Sequence, residues 1–178
     1  MTGFDASKVV IREAGAADAG RLSLVADATF LETFAGMIRG EALVADGERA
    51  RAQDYLRQLL AAGAKTWLAE LDLAPIGYAL VNRPELDAAE PGDIELKKIY
   101  LLSRFHGSGI AGRLFEAALT GAAGHDRLLL GVKQDNERAI GFYRKQGFEQ
   151  IATRRFDVGG TFYDDVVLAR ALDRTLRS

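Results

Sequence analysis

Apolar positions along this chain change their period several times, and each change marks an element. Residues 8–13 ("KVVIRE") read as a short strand closed by "AGAAD". Leu22, Val25, Ala26, Thr29, Phe30 and Thr33 then recur every three or four positions and predict a helix capped at or near Asp18. Residues 36–47 hold neither period and read as irregular. Tyr55, Leu56, Leu59 and Leu60 mark a second helix that ends at Gly63. Residues 66–71 ("TWLAEL") and 76–81 ("IGYALV") read as strands joined by a turn holding Pro75, and residues 83–92 as a polar loop.

The second half alternates more sharply. Residues 93–102 ("DIELKKIYLL") predict a long strand, followed by a helix with Ile110, Leu114, Ala117 and Ala118 on one face. Residues 127–132 ("RLLLGV") are continuously apolar, as in a buried strand. Residues 136–146 predict a helix stopped by Gly147, and residues 148–158 and 161–169 two strands meeting at a Gly159-Gly160 hairpin turn. The order β-α-α-β-β-β-α-β-α-β-β shows no repeat or linker. It predicts one α/β (α+β) domain over residues 1–178, with a mixed central sheet of about seven strands flanked by about four helices.

Composition narrows the chemistry. A chain of 178 residues fits one domain, and a net charge of −2 leaves no basic footprint for nucleic acid. No run of about eighteen apolar residues is present, so no membrane partner is expected. The amino terminus lacks the basic flank and apolar stretch of a signal peptide, which makes the cytoplasm the expected location. The chain has no cysteine, which removes disulfides, thiolate metal sites and a thiol nucleophile. Its two histidines, His106 and His125, lack metal-ligand spacing, so no metal is expected.

Within "FHGSGIAGRLF", Gly107, Gly109 and Gly112 spell G-x-G-x-x-G. A dinucleotide fold needs those glycines directly after its strand and an acidic residue closing the next one. Here "SRF" intervenes, and the next strand runs into Lys133 and Gln134, with Asp135 in the loop beyond. NAD is therefore disfavoured. The physics of the loop survives: glycines let a backbone approach a ligand, and a helix start offers free N–H groups to an anion. The same glycines also fit a tight strand-to-helix turn without a ligand.

A second motif, "NERAIGFYRKQGF" at residues 136–148, puts Asn136, Ala139 and Tyr143 on one helical face. Together with "HGSGIA" it resembles the GNAT superfamily of acetyl-CoA-dependent N-acetyltransferases. Their phosphate loop is written Q/R-x-x-G-x-G/A and their later helix N-x-x-A-x-x-F-Y-x-x-x-G-F. The loop matches as His106-x-x-Gly109-x-Ala111, with His106 where Arg or Gln is usual. The helix matches at Asn136, Ala139, Phe142, Tyr143, Gly147 and Phe148.

The resemblance implies that acetyl-CoA is the co-substrate. It would be held by Tyr100, Leu101, Leu102, His106, Gly107, Ser108, Gly109, Ile110, Ala111, Gly112, Asn136, Phe142 and Tyr143. It further implies that Tyr143 protonates the leaving thiolate, that Asn136 positions the amide arm, and that main-chain N–H groups around Leu101 and Leu102 meet the oxyanion. A free amine, with a pKa of about 10, needs a base or a desolvating pocket, and Glu95 holds the place of the family's carboxylate. Read on their own, Tyr143 also fits a core aromatic beside Phe142, His106 a surface residue, and Glu95 an ion-pair partner of Lys97 or Lys98. Without cysteine, direct attack of the amine on the thioester is expected.

"DATFLETFAG", "IELKKIYLL" and "DDVVLARAL" look like the bacterial spermidine/spermine acetyltransferase branch. That likeness implies a substrate side at Phe30, Glu32 and Phe34, a carboxylate for a distant ammonium and ring faces for cation–π attraction. Phe30 and Phe34 equally fit the core stripe of their helix. Glu41, Asp46, Glu48 and Asp54 balance Arg39, Arg49, Arg51 and Arg57, so no acidic trough for a polycation emerges. An amino acid, an antibiotic amine or a protein amino terminus stays open as acceptor, and a non-catalytic acyl-CoA-binding or regulatory module is the alternative function. The resemblance also allows a homodimer through the last strands.

Overall fold

A computed structural model describes residues 4–158 and 161–173, so the expected Gly159-Gly160 turn lies outside the described residues. Seven strands run β1 (Val10–Ala14), β2 (Lys65–Leu71), β3 (Ala74–Asn82), β4 (Ile94–Leu101), β5 (Arg127–Lys133), β6 (Glu149–Val158) and β7 (Thr161–Ala171). They form one mixed sheet in the order β1-β2-β3-β4-β5-β7-β6. Five α-helices stand among the described residues: α1 (Ala19–Phe34), α2 (Gly40–Ala50), α3 (Gln53–Ala61), α4 (Ile110–Gly121) and α5 (Glu137–Lys145). The expected mixed α/β sheet is therefore present, with one more helix than expected. The chain divides into two compact units.

The first unit comprises Met1–Leu80 and Lys98–Gly121. β1 pairs antiparallel with β2 from Val10↔Glu70 to Ala14↔Thr66. The α1 stripe is buried from Leu22 to Phe30, whereas Thr33, expected on it, is exposed in the last turn; Leu22, Val25 and Ala26 pack with Leu56 of α3 and Leu68 and Tyr78 of the sheet. Each large side chain so buried contributes about 1.5–3 kcal/mol. Asp18 occupies the N-cap position of α1 but makes no cap bond there; its carboxylate takes Arg12 at 2.7 Å and the Gly15 N–H at 3.0 Å.

Two local readings are corrected here. The stretch expected to be irregular is helical from Gly40, because α2 buries only Leu43 and so carries no apolar stripe to read. Its helix is held by charge instead: buried Arg51, at its C-cap, donates to Asp27, Asp46 and the Leu43 carbonyl. The β2–β3 turn is made by Asp72 and Leu73, both at positive φ (48° and 66°), while Pro75 lies inside β3. Two left-handed residues are what a tight hairpin turn requires. At the far end of α4, a Cβ on Gly121 would lie 2.0 Å from the Trp67 ring, so this helix meets β2 only because residue 121 has no side chain.

The second unit comprises Val81–Lys97 and Ala122–Ser178. β5 pairs with β7 along its whole length, from Arg127↔Ala171 to Lys133↔Asp165. The parallel β4–β5 register covers only Ile94↔Leu128 and Glu95↔Leu129. β6 follows β7 with one irregularity between Gln150 and Ala152, which leaves Ile151 exposed. Leu86, Leu129, Val167 and Ala169 form the local core.

Candidate active site

The loop after β4 begins with a 3-10 turn at Ser103–Phe105 and runs into α4. Gly107 and Gly109 hold φ of 79° and 83°, where an L side chain would cost about 1–2 kcal/mol. A Cβ built on Gly107, Gly109 or Gly112 would meet nothing within 4 Å. Gly112 lies in α4 without positive φ, so neither backbone conformation nor packing demands glycine there. The α4 hydrogen-bond ladder starts with Arg113 N–H to the Gly109 carbonyl at 3.2 Å. The N–H groups of Ile110, Ala111 and Gly112 therefore precede that ladder, as at any helix start. Open space over a left-handed glycine pair, directly before such a start, fits the pyrophosphate of acetyl-CoA.

The other loop residues are anchored internally. A carbonyl only accepts, so the His106 Nε2 donates to Leu101 C=O at 2.8 Å, and the imidazole is turned toward the end of β4. Ser108 Oγ donates to Phe105 C=O at 2.5 Å. Ile110 is wholly buried, so its side chain takes no part in contacts at the surface. Leu102 corrects an expectation: its N–H donates to Ile76 C=O at 2.9 Å and is not available to an oxyanion. Alternation along an antiparallel strand then points the Leu101 N–H away from β3. The Tyr100 ring stacks on Tyr78 with centroids 5.9 Å apart, and burial pushes the Tyr78 phenol well above its ordinary value.

Helix α5 explains the 136–148 motif by its ends. Asn136 is the N-cap, its Oδ1 accepting the Ala139 N–H at 3.1 Å. At the other end Gly147 takes φ of 84°, Phe148 N–H reaches Tyr143 C=O at 3.1 Å, and Gly147 N–H reaches Arg144 C=O at 3.0 Å. This is a Schellman cap, whose usual hydrophobic contact is made by the Tyr143 and Phe148 rings at 5.6 Å. Phe142 packs edge-on against Tyr143 at 5.4 Å, and Tyr143 is buried. The ring of Tyr143 is thus the core aromatic its position allowed.

Glu95 is buried in β4, where its Oε2 accepts the Glu85 N–H at 2.8 Å and forms an ion pair with Lys97 Nζ at 2.9 Å. Lys97 is one of the two partners the sequence left open. Lys97 also reaches the Glu85 carboxylate at 3.0 Å.

The expected substrate-side residues have internal partners. The Phe30 ring carries the Arg51 guanidinium 3.9 Å from its centroid and packs on Phe34 at 4.5 Å. Glu32 accepts from Ser103, N–H to Oε2 at 2.8 Å and Oγ to Oε1 at 3.1 Å. The carboxylate expected to hold an ammonium therefore holds the 3-10 turn before the glycines. Sequence reasoning missed Ser103 and Arg51 in these roles, because partners that lie on different elements, Glu32 and Ser103 being 71 residues apart, leave no periodic signal. The arginines of residues 36–64 are all paired, as Arg39–Glu41, Arg49–Asp46, Arg51–Asp46 and Arg57–Asp54, with Asp46 serving two of them and Arg51 reaching Asp27 as well.

Among the described residues, no group of three or more His, Cys, Asp or Glu side chains is placed to hold a metal ion, and no helix is long and apolar enough to cross a membrane. The chain is 41% identical over 99 residues to an uncharacterized N-acetyltransferase of Mycobacterium tuberculosis, covering 54% of this chain and 60% of that relative. It is 32% identical over 101 residues to a peptidyl-lysine N-acetyltransferase of Salmonella typhimurium, covering 56% of this chain and 61% of the relative. Its fold superposes with a TM-score of 0.75 on the PaiA N-acetyltransferase of Thermoplasma acidophilum in complex with coenzyme A, at 20% identity over 92% of this chain and 98% of the other. The acetyltransferase (GNAT) family profile matches residues 29–148. That match runs through the glycine loop and closes on the last residue of the α5 motif, and the chain belongs to the acetyltransferase (GNAT) family.

Proposed function

We propose that this chain transfers the acetyl group of acetyl-CoA to a primary amine by direct attack, as a single domain over residues 1–178. The observation that carries this reading is the glycine loop: two left-handed glycines and open space before the first N–H groups of α4. The family match crosses both units of the chain, which supports reading them as one catalytic domain.

In this reading acetyl-CoA supplies the activated thioester, and the chain's own groups do the rest. Backbone N–H groups of residues 107–112 hold the pyrophosphate, and Asn136, beyond its capping bond, orients the amide arm. The Leu101 N–H is the main-chain donor left for charge developing on the acyl oxygen. Tyr143 hands a proton to the departing thiolate. Glu95, ion-paired to Lys97, takes the amine proton through water. A cytoplasmic setting belongs to the same proposal, as does a homodimer through β6, which lies at the sheet edge.

A polyamine acceptor draws no support from Glu32 or Phe30, each of which has a partner within the chain. A lysine-type amine on a peptide is the second reading. It is favoured by the exposed apolar Leu31, Met37 and Val44 on and between α1 and α2, and by the named activity of the Salmonella relative. Coenzyme A thiol release, followed with spermidine, amino acids, aminoglycosides and lysine-bearing peptides, tests both; the protein adds no thiol background. Release with any amine supports transfer, and the amine that works assigns the acceptor. Silence with every amine would overturn the transfer reading.

A further inference from the structure

We propose that Glu32 is a positioning residue for the cofactor loop, acting through Ser103 and not on the acceptor amine. The inference rests on the acetyl-CoA reading of that loop and adds a residue to it. Both oxygens of one carboxylate are spent on one serine: Oε2 on the backbone N–H at 2.8 Å, Oε1 on the hydroxyl at 3.1 Å. Ser103 opens the 3-10 turn, so its N–H is one that the turn itself leaves without an acceptor.

The rest of the segment is pinned in the same manner. His106 bonds back to Leu101, Ser108 bonds back to Phe105, and the buried Phe105 ring meets Phe4 edge-on at 4.7 Å. Between these pins stand Gly107 and, just beyond, Gly109, the residues with the most conformational freedom to lose when a ligand orders them. Fixing the turn beforehand lowers the ordering cost of binding. Helix α1 is a firm post for this purpose, since Leu22, Val25 and Ala26 root it in the core.

Two features argue against an incidental surface contact. Glu32 lies in the last turn of α1, where a carboxylate opposes the helix dipole. It also brings negative charge toward a loop read as binding phosphate, so its benefit to binding must come from geometry. An amide at the same place would keep the acceptor for the Ser103 N–H and drop the charge.

Titration of coenzyme A into the full chain by calorimetry, with melting curves as a fold check, tests this. Glu32→Ala should raise the Kd for coenzyme A about fivefold, the scale of one lost hydrogen bond. Glu32→Gln should stay within about twofold of the unaltered chain. Ser103→Ala, which keeps the N–H bond and loses only the hydroxyl bond, should fall between them. In turnover the KM for acetyl-CoA should follow the same order, with kcat and the amine KM unmoved. An unchanged or lowered Kd in Glu32→Ala, a Glu32→Gln as weak as Glu32→Ala, or an amine KM that rises while coenzyme A binding holds would each overturn the proposal. Failure of the unaltered chain to bind coenzyme A would instead overturn the cofactor reading, and this proposal with it.

Discussion

The glycine loop and the α5 motif both pointed to the same family, yet they are built on opposite principles. In α5 the motif is largely consumed by the helix itself. Asn136 caps one end, Gly147 turns the chain at the other, and Tyr143 and Phe148 make the hydrophobic contact of that cap. In the loop, Gly107 and Gly109 are demanded by their φ values, but no packing contact demands a missing side chain there or at Gly112. A motif that its own helix explains is good evidence of fold. A glycine that nothing in the fold requires is better evidence of a ligand.

The largest expected effect would break that contrast. Tyr143→Phe keeps the ring that closes the cap, and a melting curve serves as its fold check. If the hydroxyl serves as the acid, kcat should fall about a hundredfold while coenzyme A binding stays. Unchanged turnover would make Tyr143 a capping ring and nothing more.

Two glycines at similar φ sharpen the contrast further. Gly109→Ala and Gly147→Ala each force a side chain into the left-handed region, at 83° and 84°. Each should lose about 1–2 kcal/mol of stability for that reason. Only Gly109→Ala should also weaken coenzyme A binding, by about tenfold if the loop backbone shifts, since a misplaced donor array is felt directly by its ligand. Equal binding losses at both positions would erase the distinction between the two regions.

Gly112→Ala is the smaller test. Inside a helix, alanine is about 0.5–1 kcal/mol more stable than glycine, and here its Cβ meets nothing. Denaturant titration should show a gain in stability, and coenzyme A titration a loss of affinity if that space is the cofactor's. A gain without any loss would mean Gly112 faces only solvent.

Legibility followed the same division. The α1 stripe, β5 and the α5 ends were readable because their signals are local: a period, an apolar run, or a cap with a glycine after it. Helix α2 was unreadable because it buries one residue, Leu43, and is fixed by Arg51 and its two aspartates. The β2–β3 turn was misplaced because Pro75 is a stronger sequence mark than Asp72-Leu73, although the latter pair carries the positive φ. The site suffered most. The contacts of Phe30 with Arg51 and of Glu32 with Ser103 left no mark in the sequence, because tertiary folding alone brings those partners together.

The smallest expected effect concerns acid. Burial would raise the Asp93 carboxyl, but two bonds from Arg127, at 2.9 and 2.6 Å, and one from the Glu90 N–H hold it below its ordinary 3.8. Arg12, then burial and the Gly15 N–H, leave Asp18 likewise lowered. A carboxyl with a lowered folded value binds fewer protons in the folded chain than in the unfolded one. Its stabilisation is therefore complete above about pH 5, declines as pH falls through the unfolded value, and is gone once pH lies below the folded value. Asp93→Asn removes the titrating group, and Arg127 then lacks its buried counter-charge. Denaturation between pH 7 and pH 3 should show a variant weaker at neutral pH but shallower in its acid slope. An acid slope identical to that of the unaltered chain would mean that Asp93 is held no lower in the folded chain than in the unfolded one.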